Sequence, residues 1–365
     1  MNYYALLAGL IIGTAVLMQG YREHNKVYVI VACMLMFSIF GLRDTYIIGY
    51  DSTSSYLHLF QRMSGYSLSA LFRLNSGTNT GFYLLAKLFY LLGNGDYQFF
   101  VASIALYVTV CFGFLIYRYS PNPLQSILYH FGLLFFTFHF SALKQSLAMA
   151  TLMLAFDALV REKKLRFFLL VLIAGQLHFP AHVFFLAYPM SRIRVNRRYL
   201  IVLAGLLALT YLLRNQIVSL MLNLYSDLED STNSADLSGV TFLRTKSLVM
   251  LVIIIAGVML RKPKPEDRVY SILLQFMGLA VVFQTFCGYN NIFERLADYY
   301  FQFSVLFIPM VFDKKADREP LLGWRYMSLI DLAGPYLFCG YAIYRFLGTT
   351  KGDAHLFPFK FFFAA

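Results

Sequence analysis

The chain has 365 residues, 59% of them hydrophobic and 14% charged, with a formal net charge of +12. Soluble proteins carry about 25% charged residues, so this composition excludes an ordinary soluble domain and points to a polytopic membrane protein. The positive balance is topological, because Lys and Arg collect in cytoplasmic loops; it gives no reason to expect nucleic acid as a partner.

Apolar runs occupy 3–20, 27–43, 97–117, 122–138, 142–160, 166–178, 180–191, 199–216, 246–260, 268–287, 298–312 and 325–347. A span needs roughly 20 apolar residues, so the runs predict an all-α bundle of about 12 transmembrane helices. No repeat, low-complexity tract or soluble domain interrupts them, and residues 1–365 read as a single transmembrane domain. The first run lacks a basic leader and a small-residue cleavage pattern, so it reads as a span. Cys33, Cys111, Cys287 and Cys339 stand singly in or beside apolar runs and read as small buried hydrophobes.

Orientation follows from the basic loops. Arg22 and Lys26, the cluster Arg161, Lys163, Lys164 and Arg166, and the cluster Arg192, Arg194, Arg197 and Arg198 should face the cytoplasm. So should Arg261, Lys262, Lys264 and Arg268, and Lys314, Lys315 and Arg318. Loops 41–79, 139–145, 178–182, 217–245 and 288–297 then face outward. Only one crossing fits between the outer loop near 79 and a cytoplasmic Arg118. Of the two apolar runs there, 97–117 is the better span. Residues 79–92 are therefore expected to form an interfacial or re-entrant helix within a first outer loop, 44–93. The rival topology starts inside and lets both runs cross, which puts Arg43 and Asp51 in the cytoplasm.

Two further segments depart from plain spans. Residues 166–191 hold two short runs broken at His178-Phe179-Pro180-Ala181-His182. A 14-residue helix rises about 21 Å against a hydrocarbon core of about 30 Å, so the pair predicts a short hairpin, re-entrant around 178–182. Loop 217–245, with Asp227, Glu229, Asp230 and Asp236 among Ser, Thr and Asn, reads as a mobile outer loop and a candidate lid.

Ionisable residues at a membrane edge are costly and commonly functional. The stretch Gly41-Leu42-Arg43-Asp44 through Gly49-Tyr50-Asp51 follows directly on an apolar run. After it, Leu57, Leu59 and Phe60 mixed with His58, Gln61 and Arg62 read as a short helix lying flat on the lipid. Under the predicted topology Arg43, Asp44, Asp51, His139, Lys144, Gln145, His178, His182, Glu294, Arg295 and Asp298 share one side. Individually they have plain explanations: Lys144 snorkels, His178 sits hydrogen-bonded in a core, and Glu294 and Arg295 form a local pair. Together they predict a basic, partly acidic cavity suited to a phosphate or pyrophosphate, with a carboxylate or imidazole left for proton transfer. His178 and His182 have an i, i+4 spacing, but Pro180 between them argues against a regular helical metal site, and neither metal nor cofactor is expected. No GxSxG, Walker-type loop or HExxH occurs.

Gly41-x-Arg43-Asp44, then Gly49-x-Asp51 and Tyr56, resembles the EpsG family of Wzy-like polysaccharide polymerases. Further pieces fall in the same order: Asn79-x-Gly81-Phe82, Lys144-Gln145 opening the helix of residues 141–148, His178 ending a short helix, and Arg295-x-x-x-Tyr299. One departure is Lys144 where the family pattern has Arg; Lys binds phosphate as a point charge without the bidentate fork. The layout is also similar to GT-C glycosyltransferases, with an acidic first outer loop carrying interfacial helices.

The resemblance implies glycosyl transfer between two undecaprenyl-pyrophosphate-linked glycans, donor and acceptor, on the outer face of a bacterial cytoplasmic membrane. A chain-length regulator and a flippase are candidate partners. It implies Asp51, Asp44 or His178 as base, with the choice open. It assigns Arg43, Lys144 and Arg295 to the pyrophosphate, with Gln145, Glu294 and His182 beside them, and Tyr56 and Tyr299 to the sugar site. Rival readings are a single-sugar GT-C transferase or glycan ligase, a lipid-linked oligosaccharide flippase, and a membrane acyltransferase using His178.

Overall fold

A computed structural model describes residues 2–74, 78–193, 195, 199–226, 245–261, 267–287, 291–313 and 324–363. Among these residues the fold is all-helical. The first hairpin pairs α1 (Tyr3–Met18) with α2 (Lys26–Gly41). Asn2 and Asn25 cap the two helices by accepting their first free N–H groups, which stabilises a terminus that apolar side chains cannot satisfy. The connection after α2 is short-turned: residues 52–56, then α3 (Leu57–Gln61), α4 (Leu68–Leu71) and α5 (Thr80–Leu92). Next come α6 (Tyr97–Tyr119), α7 (Pro123–Gly132), α8 (Phe135–Phe138), α9 (Leu143–Val160) and α10 (Lys164–Leu177). A tight-wound segment, Phe179–Leu186, runs back from α10 into α11 (Ala187–Met190). The rest comprises α12 (Tyr199–Leu212), α13 (Arg214–Ser226), α14 (Thr245–Leu260), α15 (Arg268–Gln284), α16 (Asn291–Phe301), α17 (Ser304–Val311) and α18 (Trp324–Gly352).

The central post is α9, packed between α6 and α10. Fifteen of its residues, from Leu143 to Leu159, are buried. Apolar side chains are exposed on the outside: Leu17, Leu165, Ile201, Val202 and Leu212 are each more than half exposed. Such a surface calls for a lipid or protein cover, consistent with a membrane protein.

The helices do not confirm the expected count of about 12 spans. Among the described residues two helices, α6 and α9, are long and apolar enough to cross, and a third crossing is possible if α12 and α13 act as one span despite a 73° bend. The run 122–138 breaks between α7 and α8, where Leu134 adopts a left-handed conformation. The run 298–312 breaks between α16 and α17 at Gln302-Phe303. Hydropathy registers the apolar run but not the turn inside it. The expected loop 217–245 begins as helix, since α13 continues to Ser226; residues 227–244, with the four carboxylates of the expected lid, lie outside the described residues.

The bundle has two chemically different ends. At one, His24 meets the Tyr117 carbonyl, Arg118 pairs with Asp157 at 2.9 Å, and Arg268 meets Glu162. The loops carrying Arg22, Arg161, Lys163 and Lys164 lie here. At the other, α6 begins with Tyr97 against Ser52, and α9 begins with Phe140 and Ser141 against Arg43 and Tyr50. This motif end also holds the C-terminal residues 353–363. Helix α5 stays at the motif end: Phe82 meets Tyr56, and Phe89 meets Phe99 at the start of α6. Both of its termini therefore sit on the side where α6 begins.

Candidate functional site

Two clusters form at the motif end. The first is centred on Arg43, just past the end of α2. Its side chain is fully buried. Nε donates to the Ile48 carbonyl at 3.2 Å, Nη1 to Phe40 at 2.6 Å, and Nη2 to Phe140 at 2.7 Å and weakly to Ser52 Oγ at 3.5 Å. Phe40 and Phe140 stack on each other with centroids 5.2 Å apart, and the guanidinium lies beside the pair, 5.1 and 4.7 Å from the two centroids. The fork thus ties the end of α2, the 48–52 turn and the start of α9 together.

The backbone around Arg43 is equally constrained. Gly49 has φ of +102°, and a Cβ there would run into the Phe140 carbonyl oxygen, so both conformation and space demand glycine. The C-terminal residues lie alongside: Asp44 N donates to the Lys360 carbonyl at 2.8 Å, Gly49 N to His355 at 2.9 Å, and Phe362 N to Leu42 at 3.1 Å. The Asp44 carboxylate accepts the Tyr46 N–H, closing its own turn. Arg43, expected at the pyrophosphate, is instead spent on carbonyls inside the protein. A guanidinium without a counter-ion can remain buried because its donors are satisfied in this way.

The second cluster surrounds Tyr56. The backbone N–H of Lys144, in the open first turn of α9, hydrogen-bonds the Tyr56 hydroxyl, and Asp51 and Arg295 act on it electrostatically. Loss of solvent pushes the hydroxyl well above the usual tyrosine range, so it stays neutral. Asp51 precedes the 52–56 turn and makes no capping hydrogen bond to it. The Lys144 ammonium lies 5.3 to 6.0 Å from the ring centroids of Tyr56, Phe82 and Tyr83. The buried His178 hydrogen-bonds the Tyr299 hydroxyl through Nδ1, and Arg295 and Lys144 both act on it electrostatically. Arg295 itself is exposed. Its backbone carbonyl accepts from the Gln145 side-chain amide at 3.4 Å, which fixes α16 against α9.

Asn79 and Gly81 explain how α5 holds this cluster. Asn79 Oδ1 accepts the Phe179 N–H at 2.7 Å, just after the break at His178. A Cβ on Gly81 would lie 2.8 Å from Gln176 Cβ and 3.1 Å from its backbone. Only glycine lets α5 rest this close to α10.

The other expected residues stand apart from Tyr56. His182 turns away from His178: its Nδ1 meets the Phe179 carbonyl at 2.9 Å and its ring covers Gly175. His139 is buried, with Nδ1 on Ser146 Oγ at 2.8 Å. Glu294 does not pair with Arg295. It pairs with Lys246 at 2.9 Å, and Asp298 takes the same ammonium at 2.8 Å. Lys246 escaped the sequence reading, although a lysine opening an apolar run was a visible signal. Among the described residues no three His, Cys, Asp or Glu side chains form a set that could hold a metal ion.

Lys144 and Arg295 thus act electrostatically on His178, Asp51 and Arg295 act on Tyr56, and two cations, a carboxylate and an imidazole are equipment for an anionic leaving group and a proton transfer. No curated protein and no solved structure matches the chain. The model of the EpsG family matches residues 26–355, which contain every residue of both clusters apart from the C-terminal segment beyond 355. The chain thus belongs to the EpsG family, a family of Wzy-like polymerases.

Proposed function

We propose that this protein joins polyprenyl-pyrophosphate-linked glycan repeat units, undecaprenyl in a bacterial cytoplasmic membrane, at its motif end on the outer face. The reading is carried by the Lys144 ammonium, 5.3 to 6.0 Å from the rings of Tyr56, Phe82 and Tyr83, in the cluster where Asp51 and Arg295 act electrostatically on Tyr56. In the reaction, a hydroxyl oxygen of the incoming unit attacks the anomeric carbon of the growing chain. The bond from that carbon to the pyrophosphate oxygen breaks, and the pyrophosphate leaves with the electron pair. The hydroxyl proton passes to the base.

Asp51 suits the base better than its rivals. The Asp44 carboxylate is engaged in its own turn, and His178 Nδ1 is engaged with Tyr299. Lys144 and Arg295 supply positive charge where the leaving group develops negative charge, which favours the transition state over the ground state. With Arg43 occupied inside the fold, neutralisation falls to these two. Tyr56, only partly buried, shapes the sugar site, and the fully buried Tyr299 acts on it through His178.

Cells relying on Asp51→Asn or Arg295→Ala should accumulate single repeat units on lipid and lose long polymer while expressing the protein normally. Wild-type chain lengths from both strains would refute the assignment. A single-sugar transferase would yield a fixed increment instead of a ladder.

A further inference from the structure

Arg295 borders a second space. On the side of α16 facing α18 lies a cavity of about 720 Å³, within the usual range of ligand pockets. Arg295 enters it from α16, Arg345 from α18 and Lys246 from α14. Lys246 is held by Glu294 and Asp298, so these three groups together carry one negative charge. The two arginines bring the lining to a net positive charge. Arg345 spends one nitrogen on the Gly132 carbonyl at 3.3 Å, and the rest of its fork is open to the cavity. The opposite wall is apolar and aromatic, including Phe135, Phe138, Phe301 and Tyr341. Beside it, α18 exposes Leu337, Tyr341 and Tyr344, each more than half exposed, a surface that meets lipid if the bundle is membrane-embedded.

The combination of two arginines and an apolar wall beside a lipid-facing helix fits an amphiphile with a phosphorylated head. The polymerase reading, on which this step rests, requires two such molecules at once. One loses its pyrophosphate, and the other keeps it. The Lys144 cluster provides cations for one head. Its set and the lining of the cavity share Arg295 and otherwise use different residues. We infer that the cavity between α16, α14 and α18 is a second seat for an isoprenoid diphosphate, with Arg345 as its own cation and Arg295 as the group common to both seats.

The test is the number of isoprenoid diphosphates bound by the purified full chain in detergent, measured by calorimetry with farnesyl diphosphate. Two per chain are expected. Arg345→Ala and Arg345→Gln should each retain one and bind the second at least about tenfold more weakly. Lys144→Ala should lose the other seat. Farnesol should not compete. Inorganic pyrophosphate should compete at least about tenfold less well than farnesyl diphosphate, since it lacks the chain that the apolar wall receives. One site in the wild type, two unchanged sites in both Arg345 variants, or equal competition by inorganic pyrophosphate would overturn the inference. Arg345 is exposed, and unchanged melting of its variants guards against misfolding as the cause. The outcome is separable from that of the polymerase reading: normal polymer from the Asp51→Asn and Arg295→Ala strains sinks that reading whatever the binding count.

Discussion

Arg43 and Arg295 mark two regions at the same end of the bundle, and the regions are built on opposite rules. Around Arg43 the guanidinium is fully buried beside two stacked aromatic rings and donates to three backbone carbonyls. Around Arg295 the guanidinium is exposed, and its neighbour Glu294 pairs elsewhere. The first region spends its guanidinium on holding three chain segments together. The second gathers charge that the fold itself does not use. A charge inside a membrane protein therefore says little until its donors are counted: the better satisfied the group, the more structural its role.

The contrast can be broken or sharpened by substitution. The largest effect belongs to Arg43→Ala, which strands the carbonyls of Phe40, Ile48 and Phe140 in the interior. It should cost about 3–5 kcal/mol of stability, read as a fall in the melting temperature in detergent and in protein yield. A normally melting Arg43→Ala protein that fails only in synthesis would erase the distinction.

Arg295→Ala should do the reverse. Its melting should stay within about 0.5 kcal/mol of wild type, as expected for an exposed site. Polymer formation should fall about 100-fold, equal to about 2.7 kcal/mol of transition-state stabilisation.

Tyr299→Phe removes the hydroxyl partner of His178 while keeping the ring. It should slow polymerisation about tenfold, about 1.4 kcal/mol, with a smaller effect on melting. Wild-type polymerisation rates from this variant would confine the His178–Tyr299 bond to packing. The smallest effect is expected from His182→Ala, which loses one hydrogen bond to the Phe179 carbonyl, about 1 kcal/mol of stability. Polymer length should be unchanged, because His182 faces Gly175 and not the Tyr56 cluster.

Much of the local structure was legible in the sequence. A helix over residues 79–92 was expected from the apolar run, and α5 occupies Thr80–Leu92. The Pro180 break predicted a turn near 178, and α10 stops at Leu177. Glycines 49 and 81 stood inside recognisable motifs, and both prove to be sites where a Cβ would collide. The breaks inside the runs 122–138 and 298–312 were not legible, because the turns at Leu134 and Gln302-Phe303 carry no proline or charge. Nor was the tail: nothing in Leu356–Phe363 announces that it will pair with Leu42 and Asp44, more than 300 positions earlier.

The amino-acid sequence alone determined that the chain is an apolar helical bundle and marked out the ionisable motifs at the edges of its apolar runs. These follow from hydropathy, loop charge and helix period, which are properties of neighbouring residues. Only the tertiary structure decided which charge does what. It put Arg43 inside and Arg295 outside, gave Glu294 to Lys246, and brought Arg345 to the same cavity as Arg295. The reason is physical: a guanidinium's role depends on which acceptors come within about 3 Å of it, and those acceptors arrive from segments that share no local signal.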